Sequence, residues 1–177
     1  MTTPAPLEHF YDLRRLSDAG IEVDIEADAP ARERIAPWLG ADSVRALKAR
    51  VSVEPKSPNR FSYVADFVCD LVQKSVVSLE PVDAHIEASF SRELHLTDRR
   101  RPTGDKGEEL TLAAGDDESP EEIDGPHYDL MAPILEELSL ALDPYPRAPG
   151  EEFAEPDPAD PKTVSPFAVL KTLKEQR

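Results

Sequence analysis

RFSYVADFVCDLVQKSVVSL at residues 60–79 and HIEASFSRELHL at residues 85–96 decide the fold. Apolar side chains alternate with polar ones in both segments, which is the period of a β-strand with one buried face. The first segment is the most apolar part of the chain and predicts a long core strand. The inward positions predicted for the two strands are Phe61, Tyr63, Ala65, Phe67, Cys69 and Leu71, followed by Ile86, Ala88, Phe90, Arg92, Leu94 and Leu96.

The segments before this pair predict further elements of the same sheet. IEVDIEA at 21–27 alternates apolar with acidic residues and predicts a strand. Residues 31–39 have apolar residues at helical spacing before Gly40 and predict a short helix. Residues 43–54 begin with a helical spacing and end with period two, so the strand prediction rests on their second half. The composition of residues 55–59 predicts a turn.

The C-terminal part predicts one helix in the domain and one beyond it. Leucine and isoleucine recur every four residues over 129–142, where Asp129 is placed as the cap and the sequence DPYP ends the helix. Ser165-Pro166 is typical of a helix start. The predicted division is a single domain over 1–146 with a mobile acidic loop at about 98–125, a proline-rich acidic tether at 147–164, and a C-terminal helix at 165–177.

These elements predict the α+β class, with an antiparallel sheet of about four to six strands. The helices at 31–39 and 129–142 are expected to pack on it. The C-terminal helix either closes on the sheet or binds a partner through its apolar stripe. The chain has no signal-like start and no run of the roughly 18 apolar residues that a membrane span needs, so a cytoplasmic protein is expected.

The net charge of −16 is concentrated in the C-terminal part. Residues 1–104 contain 14 Lys/Arg and 17 Asp/Glu, whereas residues 105–177 contain 6 and 19. A negative surface opposes the phosphate backbone of nucleic acids and favours a basic protein partner. The simpler alternative is that the acids keep flexible segments solvated.

The sequence contains no motif typical of a catalytic, cofactor or metal site. The histidines at 9, 85, 95 and 127 are scattered, the seven glycines match no nucleotide fingerprint, and the acidic run at 116–124 lacks the ligand spacing of an EF-hand. Cys69 is predicted within the core strand and is expected to behave as a small hydrophobe. We therefore expect a protein that is not an enzyme and that uses no cofactor and no metal.

Three short motifs carry a resemblance to a known family. They are VQKSVVSLEPV at 72–82, LALDPYP at 140–146 and PFAVLKTLK at 166–174. In this order they resemble the YceD-like family of large ribosomal RNA subunit accumulation proteins, in its alphaproteobacterial branch. Where that family often has one or two cysteines, this chain has Val72 and Ser75, so a zinc or redox role does not carry over.

The resemblance implies a role in ribosome biogenesis, in the accumulation or maturation of large-subunit ribosomal RNA, without known catalytic activity. Together with the acidic charge it indicates binding to a basic ribosomal protein or an rRNA-processing factor. The motif residues that the resemblance marks for interaction are Gln73, Val76, Leu79, Glu80, Pro81, Asp143, Pro144, Tyr145, Pro146, Pro166, Phe167 and Leu170.

Two alternative functions remain open from the sequence. The first is direct rRNA binding through a local basic face, for which the candidate residues are Arg45, Lys48, Arg50, Lys56 and Arg60. The second is an enzyme without a recognisable motif. The partner, the assembly step and the oligomeric state do not follow from the sequence.

Overall fold

The main feature of the fold is a five-stranded sheet, to which a separate two-stranded sheet is added. The computed structural model describes residues 5–97 and 120–152. In chain order the elements are β1 (Phe10–Asp12), a 3₁₀ turn (Leu13–Arg15), β2 (Ile21–Glu26), α1 (Ala29–Leu39), β3 (Ser43–Ser57), β4 (Arg60–Lys74), β5 (Pro81–Leu96), β6 (Glu121–Ile123), β7 (His127–Asp129) and α2 (Ala132–Ala141).

The five-stranded sheet has the order β2-β3-β4-β5-β6. Strands β2 to β5 are antiparallel, and only the short β6 runs parallel to its neighbour β5. β3 and β4 have 15 residues each and form a long hairpin whose turn is Pro58-Asn59. The predicted turn at 55–59 is therefore too long, because β3 continues to Ser57.

The predicted alternation along β4 and β5 divides the sheet into two faces. We call the side that carries Tyr63 and Phe67 the inner face, and the side that carries Arg50 and Asp66 the outer face. Phe67 and Tyr63 are almost fully buried, and the Tyr63 hydroxyl donates a hydrogen bond of 2.8 Å to the Leu130 carbonyl. Burial raises the pKa of Tyr63, so the hydroxyl keeps the proton that it donates.

The helical spacing at the start of β3 comes from a β-bulge rather than from a helix. Val44 lies opposite Leu71, and Leu47 lies opposite Cys69. The step from Val44 to Leu47 is therefore three residues long on β3, whereas the step between their partners on β4 is two residues long. One extra residue between them lets both Val44 and Leu47 point inward. The strand predicted for the second half of 43–54 is confirmed, and the first half, which has helical spacing in the sequence, belongs to the same strand.

Helix α1 confirms the prediction for 31–39 and covers β3. The Asp28 carboxylate accepts a hydrogen bond of 2.8 Å from the Ala31 amide, which caps the helix at its N-terminus. Gly40 ends it in the left-handed conformation, at φ 70°. Ala31 and Ile35 are buried and belong to the core of the domain.

Helix α2 begins at Ala132, two residues later than a helix capped by Asp129 would begin. Residues 127–129 are extended because they pair with β1, where Asp129 lies opposite Phe10. Asp129 therefore does not occupy the cap position, although its carboxylate accepts hydrogen bonds from the amides of His9 (2.7 Å) and Met131 (3.0 Å). The predicted stop is confirmed, since the helix ends at Ala141, just before the sequence DPYP.

The predicted loop at 98–125 contains the unpredicted strand β6. Glu121–Ile123 pairs with Leu94–Leu96, and Ile123 is buried. Three residues are too few to show a period, so no local pattern predicts this strand. The part of the predicted loop at 98–119 lies outside the described residues.

Arg92 joins β5, β6 and α2 on the inner face. Its guanidinium lies 3.4 Å from a carboxylate oxygen of Glu121, 2.8 Å from Glu136 and 2.9 Å from Glu137. Its central carbon lies 5.4 Å from the centre of the Phe90 ring. Because the guanidinium on β5 binds carboxylates on β6 and α2, Arg92 holds these three elements together.

The structure confirms the α+β class and the mainly antiparallel sheet. The division into a domain, a tether and a C-terminal helix stays a prediction. The predicted helix at 165–177 and residues 153–164 of the tether lie outside the described residues.

Candidate interaction site where two sequence motifs meet

The turn between β4 and β5 is organised around the Ser75 side chain. Ser75 is fully buried, and its hydroxyl oxygen accepts hydrogen bonds from the amides of Val77 (3.0 Å) and Ser78 (3.2 Å). The Ser75 amide donates to the Glu80 carbonyl (2.9 Å), and the Leu79 amide donates to the Ser75 carbonyl (3.1 Å). Ser75 thus makes hydrogen bonds to four other residues' backbone groups in the six-residue turn 75–80.

The second motif, at 140–146, is hydrogen-bonded to this turn through its last four residues. The Gln73 side-chain amide donates 3.0 Å to the Asp143 carbonyl, and the Val76 amide donates 2.9 Å to the Pro146 carbonyl. The Asp143 carboxylate accepts from the Tyr145 amide (2.8 Å), which fixes the bend that follows α2. We call residues 73–81 together with 143–151 the motif junction.

Glu151 closes the motif junction. Its carboxylate accepts hydrogen bonds from the Ser75 hydroxyl and from the Ala148 amide, the latter at 2.9 Å. Hydrogen bonds from Ser75, Ser78 and the Ala148 amide, together with the charge of Arg147, lower the pKa of Glu151. The ionised carboxylate therefore belongs to the folded junction at neutral pH.

The motif junction exposes apolar side chains on this hydrogen-bonded frame. Val76 is 48% exposed, Tyr145 69% and Leu79 72%. They are three of the seven large hydrophobic side chains that are exposed in the described residues, and Leu140, another of the seven, lies in the last turn of α2 just before the junction. Single exposed apolar residues are common, but a concentration of them is typical of a binding surface.

Leu79 has an unusual backbone conformation. Its φ is 66°, and it is the only non-glycine residue with positive φ in the described part of the chain. This conformation costs a leucine about 1–2 kcal/mol relative to the right-handed region. Strain of this kind tends to occur at functional positions, where it holds a side chain in a required place.

The structure brings together most of the residues that the sequence analysis marked. Gln73, Val76, Asp143 and Pro146 form the cross-motif hydrogen bonds. The remaining marked residues within the junction are Leu79, Glu80, Pro81, Pro144 and Tyr145, while Pro166, Phe167 and Leu170 lie outside the described residues. The roles of Ser75 and Glu151 were missed. The sequence does contain a serine pair at the start of the turn, Ser75 and Ser78, which could have indicated the role of Ser75. No local pattern indicates the role of Glu151.

The five basic residues of the alternative RNA-binding face are all ion-paired. Each lies on β3 or β4 with an exposed side chain, and each guanidinium or ammonium is within 4 Å of a carboxylate. The pairs are Arg45–Asp83 (2.7 Å), Lys48–Glu26 (3.3 Å), Arg50–Asp24 (2.8 Å), Lys56–Glu54 (3.4 Å) and Arg60–Glu93 (2.8 Å).

The outer face as a whole is acidic. Strands β2 to β5 place nine carboxylates and six Lys/Arg side chains on it. The hydrogen bond between the His85 ring and Asp70 (2.6 Å) and the charge of Asp70 raise the pKa of His85. The residues that were expected to form a basic face therefore belong to a surface with more negative than positive charge.

Cys69 lies in the core, as the sequence predicts. It is fully buried in β4, and burial raises the pKa of its thiol to about 12. A thiol in this environment stays protonated at neutral pH. Within residues 5–97 and 120–152, no three His, Cys, Asp or Glu side chains are grouped closely enough to hold a metal ion, and no helix there is long and apolar enough to cross a membrane.

The fold and the site define the class of this protein as an α+β domain in which two separate sequence motifs meet at one end of a β-sheet. The chain belongs to the YceD family of large ribosomal RNA subunit accumulation proteins, whose family model matches residues 65–174. The matched region includes both motifs of the junction. This membership gives the protein a role in the accumulation of large-subunit ribosomal RNA.

No curated protein and no solved structure matched the chain.

Proposed function

We propose that this protein is a non-enzymatic accessory factor in ribosome biogenesis that binds a basic ribosomal or rRNA-processing protein of the large subunit. The motif junction is the contact surface in this proposal. The observation that carries it is the exposure of Val76, Leu79 and Tyr145 on a frame made by cross-motif hydrogen bonds.

The geometry of the junction supports binding rather than catalysis. The polar groups that could serve chemistry are used to shape the turn: the Ser75 hydroxyl, the Gln73 amide and the Glu151 carboxylate each hold another part of the junction. A rigid frame lowers the entropic cost of binding, because its side chains are already ordered. Exposed leucine, valine and tyrosine side chains supply apolar contact area.

Charge supports a basic protein as the partner. The whole chain carries −16, and the described outer face carries more carboxylates than cations. Such a field attracts a basic protein and speeds its association, whereas it repels RNA phosphates. Direct rRNA binding through Arg45, Lys48, Arg50, Lys56 and Arg60 has less support, because each of these cations already faces a carboxylate.

Affinity capture from the organism's own lysate tests the proposal. The tagged full chain is used at low salt, with and without nuclease treatment. We expect basic large-subunit proteins or processing factors to be enriched in both samples. Enrichment that disappears with nuclease would favour the RNA-binding alternative, and the absence of any ribosomal component would count against both.

A further inference from the structure

Strand β5 has a long free edge in the described structure. From Pro81 to Glu93 it pairs with β4 on one side, and β6 covers only Leu94–Leu96 on the other side. Among the described residues no strand pairs with the remaining edge. Half of the backbone N–H and C=O groups of an edge strand point away from the sheet, where they can pair with another chain.

The inner side chains of β5 are only partly covered. Ala84, Ile86, Ala88 and Phe90 are half-buried, although their neighbours on β4 are almost fully buried. The neighbouring pairs are Leu71–Ala84, Cys69–Ile86, Phe67–Ala88 and Ala65–Phe90. The apolar core thus reaches the edge of the sheet and is left half-covered there, so an added strand would bury further apolar surface.

The outer side chains of β5 are acidic or small and polar. In order they are Asp83, His85, Glu87, Ser89, Ser91 and Glu93, with no lysine or arginine among them. Asp83 and Glu93 already pair with Arg45 and Arg60, so Glu87 is the carboxylate of this row that has no ion-pair partner among the described residues. Opposite charges on adjacent strands stabilise a sheet, and like charges destabilise it. This side of the edge therefore fits a basic strand.

We propose that the edge of β5 from Pro81 to Glu93 binds an extended segment of a basic partner as an additional strand of the sheet. In this segment apolar residues alternate with Lys or Arg, so that one side covers the half-buried row and the other places a cation beside Glu87. The inference rests on the proposed function and names the recognition element in the basic partner.

A second copy of this chain fits the edge less well. An antiparallel β5–β5 pair that places Asp83 of one copy opposite Glu93 of the other would also place the two Glu87 side chains diagonally across from each other. Several like charges on adjacent strands would oppose that dimer. Another occupant of the β5 edge would be a segment of this chain outside the described residues. The experiment below distinguishes that segment, a second copy and a basic partner.

The probe is a peptide of about ten residues in which valine and lysine alternate, long enough to match a typical strand. Its control has the same composition with the valines and lysines in two blocks. Hydrogen exchange of the full chain is measured with and without each peptide. We expect the alternating peptide to slow exchange along β5, and the block peptide to leave it unchanged.

Two charge variants test the recognition. Glu87→Lys places a cation on the outer side of β5, and Glu33→Lys makes the same charge change on an exposed position of α1. Like charges beside each other on adjacent strands should weaken binding of the alternating peptide about fivefold in Glu87→Lys. Glu33→Lys should weaken it less than twofold, since it changes only the long-range field.

Three results would overturn the proposal. Exchange along β5 that is already as slow as in β4 without peptide would mean that this chain covers its own edge. Slow exchange that depends on protein concentration would identify a second copy as the occupant. Equal binding of both peptides would indicate simple charge attraction. None of these results affects the capture of a basic protein through the motif junction, so the two proposals can fail separately.

Discussion

The side-chain amide of Gln73 donates a hydrogen bond of 3.0 Å to the backbone carbonyl of Asp143, across 70 residues of sequence. The Val76 amide makes a parallel connection to the Pro146 carbonyl. Two of the three motifs that carry the family resemblance are therefore parts of one surface. We expect the hydrogen bonds of this surface to affect stability and its exposed side chains to affect binding.

Gln73→Leu removes the donor to the Asp143 carbonyl and keeps a side chain of similar size. We expect a loss of about 1 kcal/mol in the free energy of unfolding, the usual contribution of one hydrogen bond. Urea unfolding measures it. Lys74→Met is the control, because it removes only the exposed pair with Asp42 and should cost less than about 0.5 kcal/mol. An unchanged free energy of unfolding in Gln73→Leu would mean that this hydrogen bond does not hold the two motifs together.

Ser75→Ala removes the acceptor of the Val77 and Ser78 amides and the donor to Glu151. Because Ser75 is fully buried, we expect a loss of about 1–3 kcal/mol in urea unfolding. Ser78→Ala serves as the control and should cost less, since Ser78 is exposed where it accepts the Glu80 amide and hydrogen-bonds the Glu151 carboxylate. Equal losses in the two variants would contradict the central place of Ser75.

The lowered pKa of Glu151 predicts a pH dependence of stability. A carboxyl whose pKa is lower in the folded state stabilises the fold above its ordinary value of 4.5, and this contribution is lost as the pH falls through the lowered pKa. Glu151→Gln should therefore be less stable than the wild type at pH 7, and the difference should shrink as the pH falls below 4.5. Unfolding curves over pH 3–7 measure it, and a constant difference would contradict the assignment.

Leu79→Gly should separate stability from binding. Glycine adopts a φ of 66° without the steric cost that leucine has, so stability should stay equal or rise by about 0.5 kcal/mol. Capture of the partner should fall, because an exposed apolar side chain is lost. Val76→Gly is the matched control and should lower stability as well as capture, since Val76 has no positive φ. A large destabilisation by Leu79→Gly would contradict the strain argument.

Arg92→Met should destabilise the contact between β5, β6 and α2. Removing the guanidinium takes away the cation that three partly exposed carboxylates share, and we expect a loss of about 1.5–3 kcal/mol, the usual range for hydrogen bonds to charged groups. Arg60→Met removes one exposed ion pair with Glu93 and should cost at most about 1 kcal/mol. Thermal unfolding of the two variants compares them, and similar shifts in Tm would contradict the structural role of Arg92.

The long strands could be predicted from the sequence because their alternation extends over many residues. Phe61 to Leu71 and Ile86 to Leu96 keep the period of a strand throughout, and both are strands with the expected inner face. The start of β3 has helical spacing in the sequence because a bulge places Val44 and Leu47 on one face. Local patterns thus predict long regular elements and fail where one residue is inserted.

The short elements and the motif junction could not be predicted in the same way. β6 and β7 have three residues each, and their pairing is decided by distant partners rather than by a local period. Asp129 has the residue type of a helix cap, but pairing with β1 keeps it extended. The motif resemblance marked Gln73 and Asp143 separately, and only the folded chain brings them into contact.

Site-specific photo-crosslinking from position 145 tests most directly that the motif junction contacts a basic protein. A photoreactive amino acid replaces Tyr145 in the full chain, and the control replaces Phe10, which is also exposed but lies on β1 outside the junction. We expect position 145, and not position 10, to crosslink to a basic protein of the large subunit in cells. Crosslinks from position 145 to RNA alone, or equal labelling of the same proteins from both positions, would contradict the account.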